Sequence, residues 1–304
     1  MKKSLIICLL ISLVALVGCT PKATPQEPTT YEFAAETIKV SSRDIEIPAI
    51  VTMPKTDGDE KFPLVVMAHG HGGTKDEAGS YQTVAEGLAA KGIATIRMDF
   101  PGCGESTEEF VNNNVTNMLA DIKSSLKHML DLNKIDEEKV AILGYSMGGR
   151  LATLSLENPI YKAIAMWAPA ATNGADSLQN FLGGEESVKK LLAEAEENGS
   201  ANFTTPWGQE QVLGHKFFTD MQETKPLEQL AKFEGPVLVI YGDKDDIITP
   251  EIAEAVVSAA AKSSDAKSHK IEGADHGFGL FSEEPELSKN LTDTTIEFFV
   301  NSLK

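Results

Sequence analysis

Short, wholly apolar runs alternate along this chain with longer stretches whose apolar positions recur every three or four residues. The runs at 64–68, 140–143, 163–167 and 236–240 have strand length, and 93–98 reads as a further strand although Thr95 and Arg97 interrupt its apolar residues. Unbroken apolarity of that length predicts strands covered on both faces. The intervening stretches at 77–90, 115–130, 149–156, 250–261 and 285–303 predict helices. In the second of these, Val115, Met118, Leu119, Ile122, Leu126, Met129 and Leu130 mark a single face. Pro250 opens its helix at a position where a missing N–H costs no bond. Residues 37–40 and 45–53 read as earlier strands, and 267–271 as the last one. Strands and helices in turn predict an α/β fold, with a mostly parallel central sheet and helices on both faces. The rhythm breaks at 173–232. That stretch is polar, carries an amphipathic helix near 187–196 and includes Trp207, Phe217 and Phe218. It is too long for an ordinary connection and is expected to be an inserted lid.

The first residues follow a different logic. Lys2 and Lys3 precede an apolar run from Leu5 to Val17, which ends at Gly18-Cys19. A basic start, a short apolar core and small residues at the end form a secretion signal. The run is too short for a spanning helix. Cys19 after a small residue resembles the lipobox of bacterial lipoproteins. That resemblance implies removal of residues 1–18, acylation of Cys19, and anchorage to a membrane of the bacterial cell envelope, facing away from the cytoplasm. An ordinary signal peptide or an uncleaved anchor are the alternatives. Residues 19–30 hold Pro21, Pro25 and Pro28 among polar side chains and are expected to be a tether. Residues 31–304 then form one domain.

Charge and cysteine content narrow the partners. The chain carries 27 basic and 45 acidic residues, a net charge of −18. Such a surface repels nucleic acid. With Cys8 in the signal and Cys19 in the lipobox, Cys103 stands alone, so no internal disulfide is expected.

The candidate chemistry lies just past the ends of the expected strands, where ligands of such sheets bind. Gly144-x-Ser146-x-Gly148 joins a strand to a helix, the context of a nucleophile elbow. A serine hydroxyl needs a base, and the base needs an acid to hold its tautomer. The order Ser, Asp, His suits this arrangement. Asp243, Asp245 and Asp246 follow one strand, and His276 follows the last. A calcium loop at the three aspartates is disfavoured, since the spaced ligands and distal Glu are missing. His69-Gly-His71-Gly-Gly73 ends another strand. Met147 N–H, after the nucleophile, and His71 N–H are the expected oxyanion donors. A metal at His69 and His71 lacks a third ligand, so no metal or cofactor is expected. Cys103, between Gly102 and Gly104, reads as part of a tight structural loop.

These motifs together resemble the α/β-hydrolase superfamily from about residue 37 to 303. Within it the chain is most similar to bacterial feruloyl (cinnamoyl) esterases. The resemblance rests on His69-Gly-x-Gly-Gly73, Asp99-x-x-Gly102-x-Gly104-x-Ser106, Gly144-x-Ser146-x-Gly148-Gly149, Ala168-Pro-Ala-Ala171, Gly242-x-x-Asp245 and Gly273-Ala-Asp-His276. It implies a serine carboxylesterase with Ser146, Asp245 and His276 as its triad, acting on a small-molecule ester without a cofactor. Asp246 is the next candidate for the acid. It also implies that the lid covers the acyl group, with Asp176 and Phe217 at substrate-contacting positions. Phe217 stands where a lid tyrosine is common, Met147 where glutamine is common, and Cys103 where His or Asn is common. A serine peptidase or monoacylglycerol lipase of the same superfamily is the alternative enzyme. A non-catalytic surface binding lipoprotein is the alternative of another class.

Overall fold

The computed structural model describes residues 30–282 and 284–304. The secretion signal, Cys19 and nearly all of the tether lie outside the described residues. No helix among the described residues is long and apolar enough to cross a membrane.

Eight strands form one sheet. In chain order they are β1 Phe33–Ser42, β2 Ile45–Pro54, β3 Phe62–Ala68, β4 Ala94–Met98, β5 Ile135–Tyr145, β6 Tyr161–Trp167, β9 Val237–Gly242 and β10 Ala266–Ile271. Two more, β7 Ser200–Thr204 and β8 Glu210–Gly214, make a separate antiparallel ribbon. The sheet order is β1-β2-β4-β3-β5-β6-β9-β10. From β4 to β10 every pair is parallel, and β1 and β2 join antiparallel at one edge. This is the α/β-hydrolase fold expected from the sequence.

The helices are α1 Ser80–Ala89, α2 Val115–Asp131, α3 Met147–Ser155, α4 Glu185–Asn198, α5 His215–Glu223, α6 Pro226–Leu230, α7 Pro250–Ala259 and α8 Pro285–Leu303. The apolar runs behave as their composition demands. Residues 64–68 and 140–145 are buried throughout, and 94–98 are buried as well, Thr95 and Arg97 included. Trp167 is wholly buried, and its indole N–H donates to Thr295 Oγ1 of α8 at 2.8 Å.

Several boundaries differ from the sequence expectation. β5 starts at Ile135, which pairs with Phe62, because the charged residues 136–139 hide the early part of an otherwise apolar strand. α1 starts at Ser80, since Glu77 and Ala78 take φ values of 39° and 51° and break the turn before it. The insertion also holds the β7–β8 ribbon and two short helices. Its strands, Ser-Ala-Asn-Phe-Thr and Glu-Gln-Val-Leu-Gly, carry too few apolar residues to stand out.

β3 and β5 are neighbours, and the connection that leaves β3 runs toward β4 while the one that leaves β5 runs the opposite way, toward β6. A crevice opens at such a switch point. The loop after β3 and the turn after β5 line it.

Candidate active site

Ser146 makes the turn from β5 into α3. Its φ of 52° and ψ of −111° lie outside the wells that L-residues ordinarily occupy. A Cβ on Gly144 would stand 2.1 Å from the Gly148 carbonyl oxygen, and one on Gly148 would stand 1.9 Å from that of Ala68. Glycine is therefore required on both sides of the serine. The Ser146 N–H donates to Trp167 O at 2.8 Å, which ties the turn to β6.

Asp245 follows β9 and is buried. Its Oδ1 accepts the N–H groups of Ile247 and Ile248 at 2.9 and 2.8 Å. Its Oδ2 faces Nδ1 of His276 at 2.8 Å. A carboxylate can only accept, so Nδ1 carries the proton. Nε2 is then an acceptor, 3.1 Å from Ser146 Oγ. Asp246 is exposed, and Asp243 instead accepts the Gly273 N–H at 2.6 Å. Of the three aspartates, Asp245 is the one joined to His276. Tyr145, which the sequence reading passed over, donates its hydroxyl to the His276 carbonyl at 2.8 Å. Its ring lies 5.4 Å from the imidazole, so the serine's own neighbour steadies the histidine loop.

The loop after β3 is anchored from below. Nδ1–H of His69 donates to Gly70 O at 2.8 Å, and Nε2 accepts the Phe100 N–H at 3.0 Å. Both nitrogens are used, and burial lowers the His69 pKa to about 4. Gly70 N–H donates to Oε1 of Glu77 at 2.7 Å. Burial raises the Glu77 carboxyl to about 8. Lys75 Nζ meets Asp99 Oδ2 at 2.7 Å, and Asp99 also accepts the Glu105 N–H at 2.9 Å, bracing the loop that holds Cys103. Burial pushes the Cys103 thiol up to about 12, which keeps it unreactive. Met147 N–H, the first of α3, has no partner within the helix.

The model of the serine aminopeptidase S33 family matches residues 59–225. The chain belongs to this family. Esterase EstD of Thermotoga maritima is 26% identical over 221 residues, covering 68% of this chain and 52% of that protein. Quorum-quenching protein AidA of Acinetobacter baumannii is 31% identical over 152 residues, covering 49% of this chain and 46% of that protein. The chain thus spans about half the length of these curated relatives. Among solved structures, Est1E of Butyrivibrio proteoclasticus with bound ferulic acid superposes with a TM-score of 0.71 at 23% identity. That match covers 87% of this chain and 98% of Est1E, and it shows a shared fold.

The insertion is tied to the body through α3. Arg150 of α3 is wholly buried. Its guanidinium donates to the carbonyls of Ala170, Thr172, Gly174 and Met221 and to Thr224 Oγ1, at 2.7–3.2 Å. Both ends of the insertion are therefore pinned to the helix that follows the serine. Burial without a carboxylate partner lowers its pKa to about 10. Phe217 of α5 is buried, 5.6 Å from the His71 ring, whereas Asp176 is exposed at the start of a short 3₁₀ turn. Neither Arg150 nor Glu77 stood out in the sequence. Each lies next to a recognised motif, and that adjacency was the available signal.

Proposed function

We propose that this protein is a serine carboxylesterase that forms its acyl-enzyme on Ser146. The observation that carries the reading is the linked series Asp245, His276 and Ser146, with contacts of 2.8 and 3.1 Å. Ser146 Oγ attacks the ester carbonyl carbon while its proton passes to His276 Nε2. Asp245 orients the ring and stabilises the imidazolium. The negative oxygen of the tetrahedral intermediate accepts from His71 and Met147 N–H. Losing one such donor typically costs about 10²–10³ in rate. His276 then gives its proton to the leaving alcohol oxygen. A water, deprotonated by the same nitrogen, attacks the acyl carbon, and that proton passes to Ser146 Oγ as the acyl–oxygen bond breaks and the acid leaves.

The acyl group is a hydroxycinnamate or a short acid. The phenylalanine-rich lid and the ferulic acid bound by the similarly folded Est1E support this choice. Phe217 backs the acyl site, and Asp176 serves as a polar contact for a ring hydroxyl. The enzyme is proposed to be anchored to the cell envelope through acylated Cys19. Incorporation of labelled palmitate that disappears in Cys19→Ser supports the anchor, and incorporation that survives the substitution rules it out.

The family's description favours one second reading, an aminopeptidase. A chromogenic panel of acyl esters and aminoacyl amides separates the two, alongside labelling by a fluorophosphonate. Turnover of esters together with labelling lost in Ser146→Ala is the expected result. Amide preference transfers the site to the peptidase reading. A wild-type protein that neither labels nor turns over is a binder.

A further inference from the structure

We propose that Gln211, on β8 of the lid ribbon, is a positioning residue for the oxyanion hole, acting through the side chain of His71. The proposal rests on the esterase reading above. Nε2–H of His71 donates to Gln211 Oε1 at 2.7 Å, across 140 residues of chain. The same glutamine covers the next residue. A Cβ on Gly72 would stand 2.7 Å from Gln211 Nε2. Gln211 is itself held by Gln209, whose Oε1 accepts from Gln211 Nε2 at 3.4 Å.

The two halves of the loop answer to different parts of the molecule. His69 and Gly70 are bonded to the body, at Phe100 and Glu77. His71 and Gly72 are bonded or packed to the lid. The His71 ring is boxed by Phe110, Phe181 and Phe217, with centroids 5.1–5.6 Å away. Its Nδ1 is buried with no hydrogen-bond partner among the described residues. Gln211 therefore supplies the ring's polar anchor. Burial lowers the His71 pKa to about 4, so the contact joins two neutral groups.

Raising the lid removes Gln211 from the imidazole. Phe181 and Phe217 belong to the same insertion and withdraw with it, so the ring loses its polar anchor and two walls of its box together and keeps only Phe110. It is then free to turn toward water. The N–H of the same residue, two bonds from Cβ, shifts with it. Closure of the lid and completion of the oxyanion hole thus become a single event, and an open enzyme holds substrate without a hole to activate it.

The experiment compares wild type, Gln211→Ala and Gln211→Glu on p-nitrophenyl butyrate and methyl ferulate, with melting temperature as the check on folding. The expected result for Gln211→Ala is a fall in kcat of about 10- to 100-fold on both esters, with KM within about threefold; total loss of one donor sets the upper bound. Affinity for a trifluoromethyl ketone, which forms the tetrahedral adduct, falls by the same factor. Gln211→Glu sets a carboxylate against the imidazole, raises its pKa, and adds an ionisation to the kcat profile below pH 7 that wild type lacks. A kcat within twofold of wild type overturns the proposal. So does a loss confined to KM for one ester, which makes Gln211 a substrate contact. Amide hydrogen exchange at His71, followed by NMR, reads the coupling without turnover. Faster exchange in Gln211→Ala supports the proposal even if the wild type proves inactive on esters, and unchanged exchange overturns it.

Discussion

The sheet edge that carries Ser146, Asp245 and His276 and the insertion facing it are both well packed, yet different bonds hold them. At the sheet edge the fixed partners are largely main chain. Ser146 is tied to Trp167 O, Asp245 to two N–H groups, and the His276 carbonyl to Tyr145. The insertion hangs on side chains, with Arg150 gathering its two ends and Gln211 meeting His71 of the loop after β3. Main-chain partners survive a single substitution, whereas a side chain that serves several acceptors does not. The edge should therefore lose chemistry without losing structure, whereas the insertion should lose structure when Arg150 is replaced.

Substitutions in the triad test the first half of that contrast and carry the largest effects. Ser146→Ala is expected to lower kcat by on the order of 10⁶, and Asp245→Asn by about 10⁴. Both should melt within a few degrees of wild type. A large drop in melting temperature would mean that these side chains hold the edge together.

Arg150→Met tests the second half. Several buried carbonyls lose their donor at once, at about 1–3 kcal/mol for each group left unsatisfied. A loss of at least about 3 kcal/mol is expected in urea denaturation, with faster proteolysis between residues 173 and 232. Arg150→Lys should recover little, because one ammonium cannot span the same acceptors. Slow proteolysis in Arg150→Met would shift the credit to apolar packing.

The buried groups around the loop after β3 should respond to pH in opposite directions. Glu77 has its carboxyl raised from 4.5 to about 8 by burial, so the folded state binds the extra proton between those values. Its contribution to stability is complete below pH 4.5 and disappears as pH rises through 8. His69 and His71 are lowered from 6.5 to about 4, and there the unfolded state binds the extra protons. Their contribution is complete above pH 6.5 and disappears as pH falls toward 4. Between pH 6.5 and 8 Glu77 acts without the two histidines. Glu77→Gln is expected to flatten the decline in unfolding free energy over that interval. An unchanged slope would mean that Glu77 is ionised in the folded protein.

Asp176→Ala should have the smallest effect. The residue is exposed, so stability should change by no more than about 0.5 kcal/mol. If Asp176 grips a ring hydroxyl, KM rises several-fold for hydroxycinnamate esters and stays constant for butyrate. Equal kinetics on both esters would remove Asp176 from the acyl site.

Legibility followed the range of the interaction. The run at 140–143 and the glycines around Ser146 announced a strand, a tight turn and a helix, because neighbouring residues alone decide that geometry. The ribbon was not legible. Residues 200–204 and 210–214 are strands by virtue of pairing with each other and packing on the body. Asp243, Asp245 and Asp246 looked alike in composition. The spacing Gly242-x-x-Asp245 favoured Asp245, and the direction of its side chain in the folded loop carries it to His276.

Taken alone, the chain determined its alternation of strand and helix, its order of chemistry-bearing residues and the place where an insertion interrupts the sheet. Those properties depend on periodicity and on turns that a few adjacent residues specify. Tertiary structure decided the contact that the motif at Asp245 only anticipated, that Tyr145 and Glu77 support the two loops, and that Arg150 and Gln211 bind the insertion to them. Each of these is a contact between side chains or loops distant in sequence, and no local pattern encodes which of many polar groups will be brought within 3 Å of another.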